Sequence, residues 1–273
     1  MLKQRLMTAA VLIPLVVLGI LKLETGHLQW YIGLVTVLAA WEWLSIIGIH
    51  DIVKKLTWIL ALIIGLVASV YLPTTLMMML ALVLWLVAAK VILQYGHQGL
   101  PDQLATLFRQ TGFGISCTLV LLTLFWLSVL TLHQTPQGPE QLLYVLVSVW
   151  LADTGGYFAG KKWGKLPLAK AVSPNKTWEG VLGALALSGL WALISFGLGI
   201  SGELPLIYWL VLSLLTVMIS IIGDLFESLF KRSHNVKDSG NLLPGHGGIL
   251  DRIDSLIAAV PVFVAGLILT GVL

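Results

Sequence analysis

Residues 206–232 read LIYWLVLSLLTVMISIIGDLFESLFKR, an uncharged apolar run that ends in a group of acids and bases. The apolar run covers residues 206–222, and a transmembrane helix needs about 20 mainly apolar residues, with a range of about 17–25. Its apolar residues are continuous rather than alternating, which is typical of a membrane helix and not of a barrel strand. The segment therefore predicts a membrane-spanning helix with a polar end.

Eight further runs have the same character. They cover residues 6–21, 28–49, 58–72, 75–93, 113–132, 142–158, 180–200 and 255–273. The run at 58–72 is short, and it is compatible with a re-entrant segment as well as with a full span. We predict an all-α polytopic membrane protein with about nine transmembrane helices.

The composition supports lipid as the main solvent of this chain. Hydrophobic residues make up 58% of it and charged residues 11%, whereas soluble domains carry about 25% charged residues. Ordinary soluble enzymes, nucleic-acid-binding modules and disordered proteins are excluded, and we expect no nucleic-acid partner. Because Cys117 is the single cysteine, an intramolecular disulfide is excluded as well.

The distribution of basic residues predicts the orientation. With the N-terminus in the cytoplasm and nine alternating spans, 15 of the 16 Lys and Arg residues fall on the cytoplasmic side, and only Lys22 falls outside. The outer connections are short, whereas two inner segments, 159–179 and 223–254, are long and polar. We therefore expect residues 1–133 to form a transmembrane scaffold and residues 134–273 to form a catalytic region with cytoplasmic loops.

Three acids occupy positions that lipid disfavours. A charged side chain at bilayer depth costs at least ~2.5–3.5 kcal/mol, so Glu42, Asp153 and Asp224 need an explanation. For Glu42 we favour a hydrogen-bonded structural carboxylate. Asp153 precedes Gly156 and Gly160, whose spacing allows a close helix contact but does not explain the aspartate.

The segment after residue 222 contains the highest density of acidic, basic and glycine residues suited to catalysis. If the helix continues past Asp224, then Glu227 and Lys231 lie on the same face; a salt-bridged helix end is the plainer alternative. The following KDSGNLLPGHGGILDRIDS, residues 237–255, combines a glycine turn with Asp251 and Asp254 at the start of the last helix. Carboxylates, cations and a glycine turn are what metal-assisted phosphoryl or nucleotidyl transfer requires.

The other inner segment contains KKWGKLPLAKAVSPNKTWEG, residues 161–180. Lys161 and Lys162 are sufficiently explained as anchors to anionic lipid. Ser173 and Lys176 suit contact with phosphate, while Thr177 is an equally good candidate for the N-cap of the next helix. No Walker A or GxGxxG motif is present, so a nucleotide would need a different cradle.

Residues 228–254 resemble the signature of the phosphatidate cytidylyltransferases, also called CDP-diacylglycerol synthases. The positions that carry the resemblance are Ser228, Phe230, Lys231, Arg232, Lys237, Asp238, Gly240, Leu243, Pro244, His246, Gly247, Gly248, Asp251, Arg252, Ile253 and Asp254. WLADTGGYFAG (150–160), VSPNKTWEG (172–180) and the Trp-Glu-Trp at 41–43 are also similar to the family.

The resemblance implies transfer of a cytidylyl group from CTP to phosphatidate, with Mg²⁺ and a second, monovalent cation such as K⁺, by a dimer in the inner membrane. It implies Asp224 and Asp251 as metal ligands, with Asp254 orienting them. The catalytic residues that we predict on this basis are Asp224, Asp251, Asp254, Lys237 and His246. The predicted substrate-binding residues are Asp153, Ser173, Lys176, Lys231, Arg232, Asp238 and Arg252.

Three alternatives remain at this stage. A CTP-dependent lipid kinase would release CDP instead of pyrophosphate. A transporter would place its acids near the membrane midplane, whereas these gather at helix ends. A membrane scaffold with purely topological charges would leave the acid-rich glycine turn unexplained.

Overall fold

A computed structural model describes residues 2–243, 245 and 247–273, with side chains from residue 7 onward. His246, predicted as a catalytic residue, and Pro244 lie outside the described residues. The described part of the chain consists of helices joined by loops, with one small hairpin. The helices are α1 (Leu2–Lys22), α2 (Thr25–Ile46), α3 (Ile52–Ser69), α4 (Thr74–Tyr95), α5 (Asp102–Arg109), α6 (Thr111–His133), α7 (Gly138–Trp163), α8 (Trp178–Gly197), α9 (Leu206–Ser233) and α10 (Leu250–Leu269).

Within the part of the chain that the structure describes, seven helices are long and apolar enough to cross a membrane by length and composition: α3, α4 and α6 to α10. The described apolar part of α1, Met7–Lys22, is shorter. Large apolar side chains cover much of the outer surface, for example Leu182 at 66% exposed and Val83 at 56%. Lipid is the solvent that such a surface requires. The predicted all-α polytopic membrane protein is thus confirmed, whereas the number of nine spans and the orientation stay predictions.

Two elements were not predicted from the sequence. α5 is a short helix between α4 and α6, and the predicted loop 159–179 contains an antiparallel hairpin of β1 (Pro167–Ala169) and β2 (Ser173–Thr177). Prolines mark several helix starts, because Pro73, Pro101 and Pro205 each precede one. A proline is tolerated there because the first amides of a helix lack intrahelical partners.

Small residues bring α7 and α8 into close contact, as the Gly156 and Gly160 spacing predicted. A Cβ at Gly155 would collide with the backbone of Gly183, and Gly156 faces the carbonyl of Gly180. In α9, a Cβ at Gly223 would lie 2.8 Å from the Cβ of Ala258 in α10. These approaches bring the polar ends of α7 to α10 together.

Aromatic rings hold the same end of the bundle. Phe230 of α9 lies 5.6 Å from Trp43 of α2 and 4.9 Å from Phe108 of α5, centroid to centroid. Ring pairs at these separations add about 0.5–1.5 kcal/mol beyond their buried area. α9 is therefore fixed against both the N-terminal helices and α5, immediately beside its charged residues.

Candidate active site

Four carboxylates gather where α9 ends and α10 begins: Asp224 and Glu227 on α9, and Asp251 and Asp254 on α10. We call them the acid cluster. α9 continues to Ser233, so the condition of a helix that extends past Asp224 is met. Asp224, Glu227 and Lys231 therefore share one face of the helix. The cluster is assembled by the close α9–α10 contact at Gly223.

Lys231 lies at the centre of the acid cluster. Its Nζ is 3.0 Å from Glu227 Oε2 and 2.7 Å from Asp251 Oδ1. The lysine is only 9% exposed, so these ion pairs are shielded from water and joined by charge-assisted hydrogen bonds. A buried cation with two anionic partners fixes the separation of α9 and α10.

The second oxygen of Asp251 organises the glycine-rich loop, residues 234–249. Asp251 Oδ2 accepts hydrogen bonds from Ser239 N at 3.1 Å, Ser239 Oγ at 2.9 Å and Gly248 N at 3.0 Å. Gly245 and Gly247 have φ values of 76° and 81°, a conformation that glycine adopts without steric cost. Asp251 thus binds both ends of a turn that the glycines make possible.

Glu42 reaches this loop from α2, far away in the sequence. Its Oε2 accepts from Leu250 N at 2.8 Å, capping the start of α10, and from Ser239 Oγ at 3.2 Å. A Cβ added at Gly240 or Gly248 would collide with its carboxyl group. The structure agrees with the predicted hydrogen-bonded carboxylate, and it adds that this residue of the N-terminal scaffold supports the glycine-rich loop.

Glu227 and Asp254 place two carboxyl groups side by side within the acid cluster. Their side chains lie in contact, and Asp224 is a further electrostatic neighbour of Asp254. Asp254 Oδ1 accepts from Ser255 N at 2.6 Å, whereas the buried Glu227 Oε1 has no donor among the described residues. A buried carboxylate oxygen without a donor is costly unless a proton or a cation occupies the position.

The hairpin places Lys176 next to Asp224. Lys176 Nζ forms an ion pair with Asp224 Oδ2, and Ser228 Oγ donates to Asp224 Oδ1 at 3.3 Å. Thr177 Oγ1 accepts from Gly180 N at 3.1 Å and caps α8. The cap considered at Thr177 is therefore observed, and the preceding Lys176 is directed toward α9. Contact of Ser173 and Lys176 with phosphate stays a prediction.

A cavity of about 320 Å³ opens beside this ion pair, and we call it the hairpin cavity. Its lining includes Asp153 of α7, Ser173 and Lys176 of β2, and Ile221 of α9. Asp153 also has Asp224 and Arg252 as electrostatic neighbours. Three predicted substrate-binding residues thus share one cavity next to the acid cluster.

Other predicted residues do not line the hairpin cavity. Lys237 and Asp238 are exposed on the glycine-rich loop, and Arg252 is exposed on α10. Arg232 lines a different cavity, between α4, α5 and α9. Adjacent helical residues point about 100° apart, which separates Arg232 from the neighbouring Lys231.

The two predicted metal ligands, Asp224 and Asp251, each bind a lysine. Within residues 2–243, 245 and 247–273, no three His, Cys, Asp or Glu side chains are arranged to hold a metal ion. The shared ion stays a prediction.

Ser239 and the link from Glu42 were missed by sequence reasoning. Ser239 is one of many polar residues in its loop, and its spacing from Asp251 matches no helical or strand period. The contact between Glu42 and Leu250 joins residues that are 208 positions apart. The signal that was available was the cost of a carboxylate between two tryptophans, which requires a partner without identifying it.

Known proteins resemble this chain along its whole length. The profile of the cytidylyltransferase family matches residues 3–269. A phosphatidate cytidylyltransferase of Pseudomonas aeruginosa is 42% identical over 270 residues, which cover 97% of this chain and 96% of that protein. One from Haemophilus influenzae is 34% identical over 287 residues, with 96% and 97% covered, and one from Bacillus subtilis is 45% identical over 124 residues, with 45% and 46% covered.

Proposed function

The chain belongs to the cytidylyltransferase family, and we propose that it transfers the cytidylyl group of CTP to phosphatidate, giving CDP-diacylglycerol and pyrophosphate. The observation that carries the proposal is the convergence of the acid cluster, Lys231 and Lys176 beside the hairpin cavity. The relatives that match over nearly their whole length carry the name of this activity.

The position of the cluster suits two substrates with opposite solubilities. A lipid phosphate cannot leave the membrane interface, and a nucleoside triphosphate cannot enter hydrocarbon. The acids lie at the polar ends of two candidate spans, where both substrates have access. We propose nine spans, a cytoplasmic N-terminus and a cytoplasmic site in the inner membrane, because this arrangement puts nearly all basic residues on one side.

We propose that the acid cluster binds a divalent cation together with the substrate phosphates. Mg²⁺ prefers oxygen ligands and uses one or two carboxylates together with substrate phosphates. Glu227 Oε1, which lies buried near Asp254 and has no donor among the described residues, adds an oxygen that a proton or a cation would satisfy. Asp224 and Asp251 would hold the ion, with Asp254 orienting them and a monovalent cation such as K⁺ nearby. When bound, Mg²⁺ neutralises charge on the pyrophosphate leaving group.

The protein's own cations perform the binding step. Lys176 pairs with Asp224, and its partly exposed position allows it to exchange that partner for phosphate oxygens of CTP, with Ser173 beside it. Lys231 keeps Asp251 and Glu227 in place. Lys237, Asp238 and Arg252 border the site from the glycine-rich loop and α10, and Asp153 contributes from the cavity wall.

These groups hold two anions together that would otherwise repel each other, and such positioning is the main requirement of phosphoryl chemistry. An oxygen of the phosphatidate monoester attacks the α-phosphorus of CTP in line. The bond from the α-phosphorus to the β-bridging oxygen breaks, and pyrophosphate leaves with its electron pair. The nucleophile is already anionic near neutral pH, so it needs no general base. We propose that His246 orients a phosphate group and that the protein acts as a homodimer.

Product identification tests the reaction. Purified protein receives phosphatidate, Mg²⁺ and CTP labelled either at the α- or at the γ-phosphorus. We expect the α-label in the organic extract and the γ-label in aqueous pyrophosphate. Lipid that carries the γ-label, together with free CDP, would instead identify a lipid kinase. Label that stays aqueous from both positions would refute the proposed function.

A further inference from the structure

A second cavity of about 220 Å³ lies on another flank of α9, and we call it the arginine cavity. Arg109 at the end of α5 and Arg232 at the end of α9 line it from two sides, with Tyr95 of α4 and Ser233 adding hydroxyl groups. It shares no lining residue with the hairpin cavity. The volume is below the about 300–1,000 Å³ that is typical of sites for drug-sized ligands, so a headgroup fits better than a whole nucleoside triphosphate.

The charge of the arginine cavity is uncompensated. Among the described residues that line it, two are cationic and none is acidic. Neither guanidinium takes part in an ion pair or a side-chain hydrogen bond within the described part of the chain. The neighbouring Lys231 has two carboxylate partners and Lys176 has one. Arg109 and Arg232 therefore bring positive charge without a carboxylate partner to the arginine cavity.

The walls of the arginine cavity connect it to lipid-facing surface. Val91 and Tyr95 of α4 line it, and Val87, one turn earlier on the same stripe, is 55% exposed. Tyr95 and Ser233 are the last residues of two candidate spans, which puts the arginines at the depth of lipid headgroups. Basic pockets between transmembrane helices are a known form of site for lipid phosphates.

We propose that Arg109 and Arg232 bind the monoester phosphate of a phosphatidate molecule, with its acyl chains along the Val87–Tyr95 stripe of α4. Two guanidinium groups match the charge of about −1.5 to −2 that a phosphate monoester carries near pH 7, whereas a phosphodiester lipid carries a single charge. The planar guanidinium fork pairs with phosphate oxygens in a bidentate manner. Only the identity of the bound lipid depends on the proposed function, since binding at this site precedes contact with CTP.

Equilibrium binding without CTP or Mg²⁺ tests this site separately from the reaction. The protein is reconstituted in phosphatidylcholine nanodiscs, and binding of a fluorescent phosphatidate is titrated for wild type and for Arg109→Gln/Arg232→Gln. We expect at least a tenfold loss of affinity, which equals about 1.4 kcal/mol. The control Lys54→Gln/Lys162→Gln removes two exposed charges outside the cavity and should stay within twofold of wild type. Arg109→Lys/Arg232→Lys keeps the charge without the fork and should fall between them.

Competition identifies the chemistry of the ligand. Unlabelled phosphatidate should displace the probe, phosphatidylglycerol should do so at least tenfold less well, and millimolar inorganic phosphate or CTP should not displace it. Equal displacement by phosphatidylglycerol would overturn the assignment of the ligand as a phosphate monoester. Displacement by inorganic phosphate or CTP would overturn its assignment as a lipid. Unchanged affinity in the glutamine variant, or an equal loss in the lysine control, would remove the site altogether. None of these outcomes depends on whether labelled CTP reacts.

Discussion

The hairpin and the glycine-rich loop both bring residues to the acid cluster, but they are attached to it in different ways. The hairpin reaches α9 through the Lys176–Asp224 ion pair, whose side chains are 28% and 27% exposed. The glycine-rich loop is fixed by Ser239, which is 6% exposed and hydrogen-bonds to Asp251 and Glu42.

This difference in burial predicts a difference in function. A partly exposed ion pair contributes about 0–1 kcal/mol, so incoming phosphate groups can replace Asp224 as the partner of Lys176. Breaking a buried network leaves groups unsatisfied at about 1–3 kcal/mol each, so the glycine-rich loop should keep its shape during turnover. We infer that the hairpin exchanges partners as substrate binds, while the loop provides a fixed frame.

Asp251→Ala should have the largest effect, because this residue supports the glycine-rich loop and is a proposed metal ligand. We expect cytidylyl transfer to fall below detection, with membrane insertion intact. The measurement is label transfer to lipid, with Glu203→Ala, an exposed acid on another loop, as the control. Activity within about tenfold of wild type, or ~1.4 kcal/mol of barrier, would contradict the assignment.

Lys176→Met should come next and should act mainly on nucleotide binding. We expect the KM for CTP to rise by about tenfold or more, since a charge-assisted contact to phosphate contributes roughly 1.5–3 kcal/mol. The Tm should change little because the ion pair is partly exposed. Lys162→Met removes an exposed lysine nearby and should leave KM unchanged. A large loss of Tm with normal KM would mean that Lys176 is a structural residue.

Glu42→Ala should lower both stability and activity. It leaves Leu250 N without its acceptor, and an unsatisfied buried group costs about 1–3 kcal/mol. Ser239 Oγ loses one of its two carboxylate neighbours and keeps Asp251 Oδ2. We expect a lower Tm and a fall in kcat of about tenfold, with little change in the KM for CTP. Glu42→Gln retains an acceptor oxygen and should recover most of the kcat. Normal kcat in the alanine variant would show that the loop does not need support from α2.

Ser239→Ala should have the smallest effect. It removes the hydroxyl donor, but Ser239 N still donates to Asp251 Oδ2, so we expect a fall in kcat of about threefold to tenfold, in line with about 1 kcal/mol for one hydrogen bond. Ser116→Ala is the matched control, because that hydroxyl donates only within its own helix to Gly112. Equal effects of the two substitutions would argue against a fixed frame.

The apolar runs predicted the membrane architecture because hydrophobic length responds directly to bilayer thickness. The apolar runs did not predict how far a helix extends beyond the membrane into water. Hydropathy falls at Asp224, yet α9 continues to Ser233 because Phe226 and Phe230 pack against Phe108. The hairpin was missed for a related reason, since its form depends on tertiary contacts such as the hydrogen bond from Ala171 N to Gly96 O at 2.8 Å.

The candidate site was predictable where its charged residues lie close together in the sequence. One polar segment, residues 223–254, contains Asp224, Lys231 and Asp251. The helical spacing already placed Asp224 and Lys231 on one face of a helix. Glu42 could be identified as unusual, but its partner could not, because no local pattern connects it to Leu250. The family resemblance grouped Arg232 with Lys231 as substrate-binding residues, and the helical geometry separates the cavity that Arg232 lines from the acid cluster.

Binding of Mn²⁺ tests the central claim, that the facing ends of α9 and α10 share a divalent cation. The loss of the free-ion electron paramagnetic resonance signal is measured on purified protein in detergent, without substrates. We expect Asp224→Asn and Asp251→Asn each to weaken Mn²⁺ binding by at least tenfold, and Glu203→Gln to leave it unchanged. If both aspartate variants bind Mn²⁺ as tightly as the wild type does, the acid cluster is not the metal site and the account is wrong.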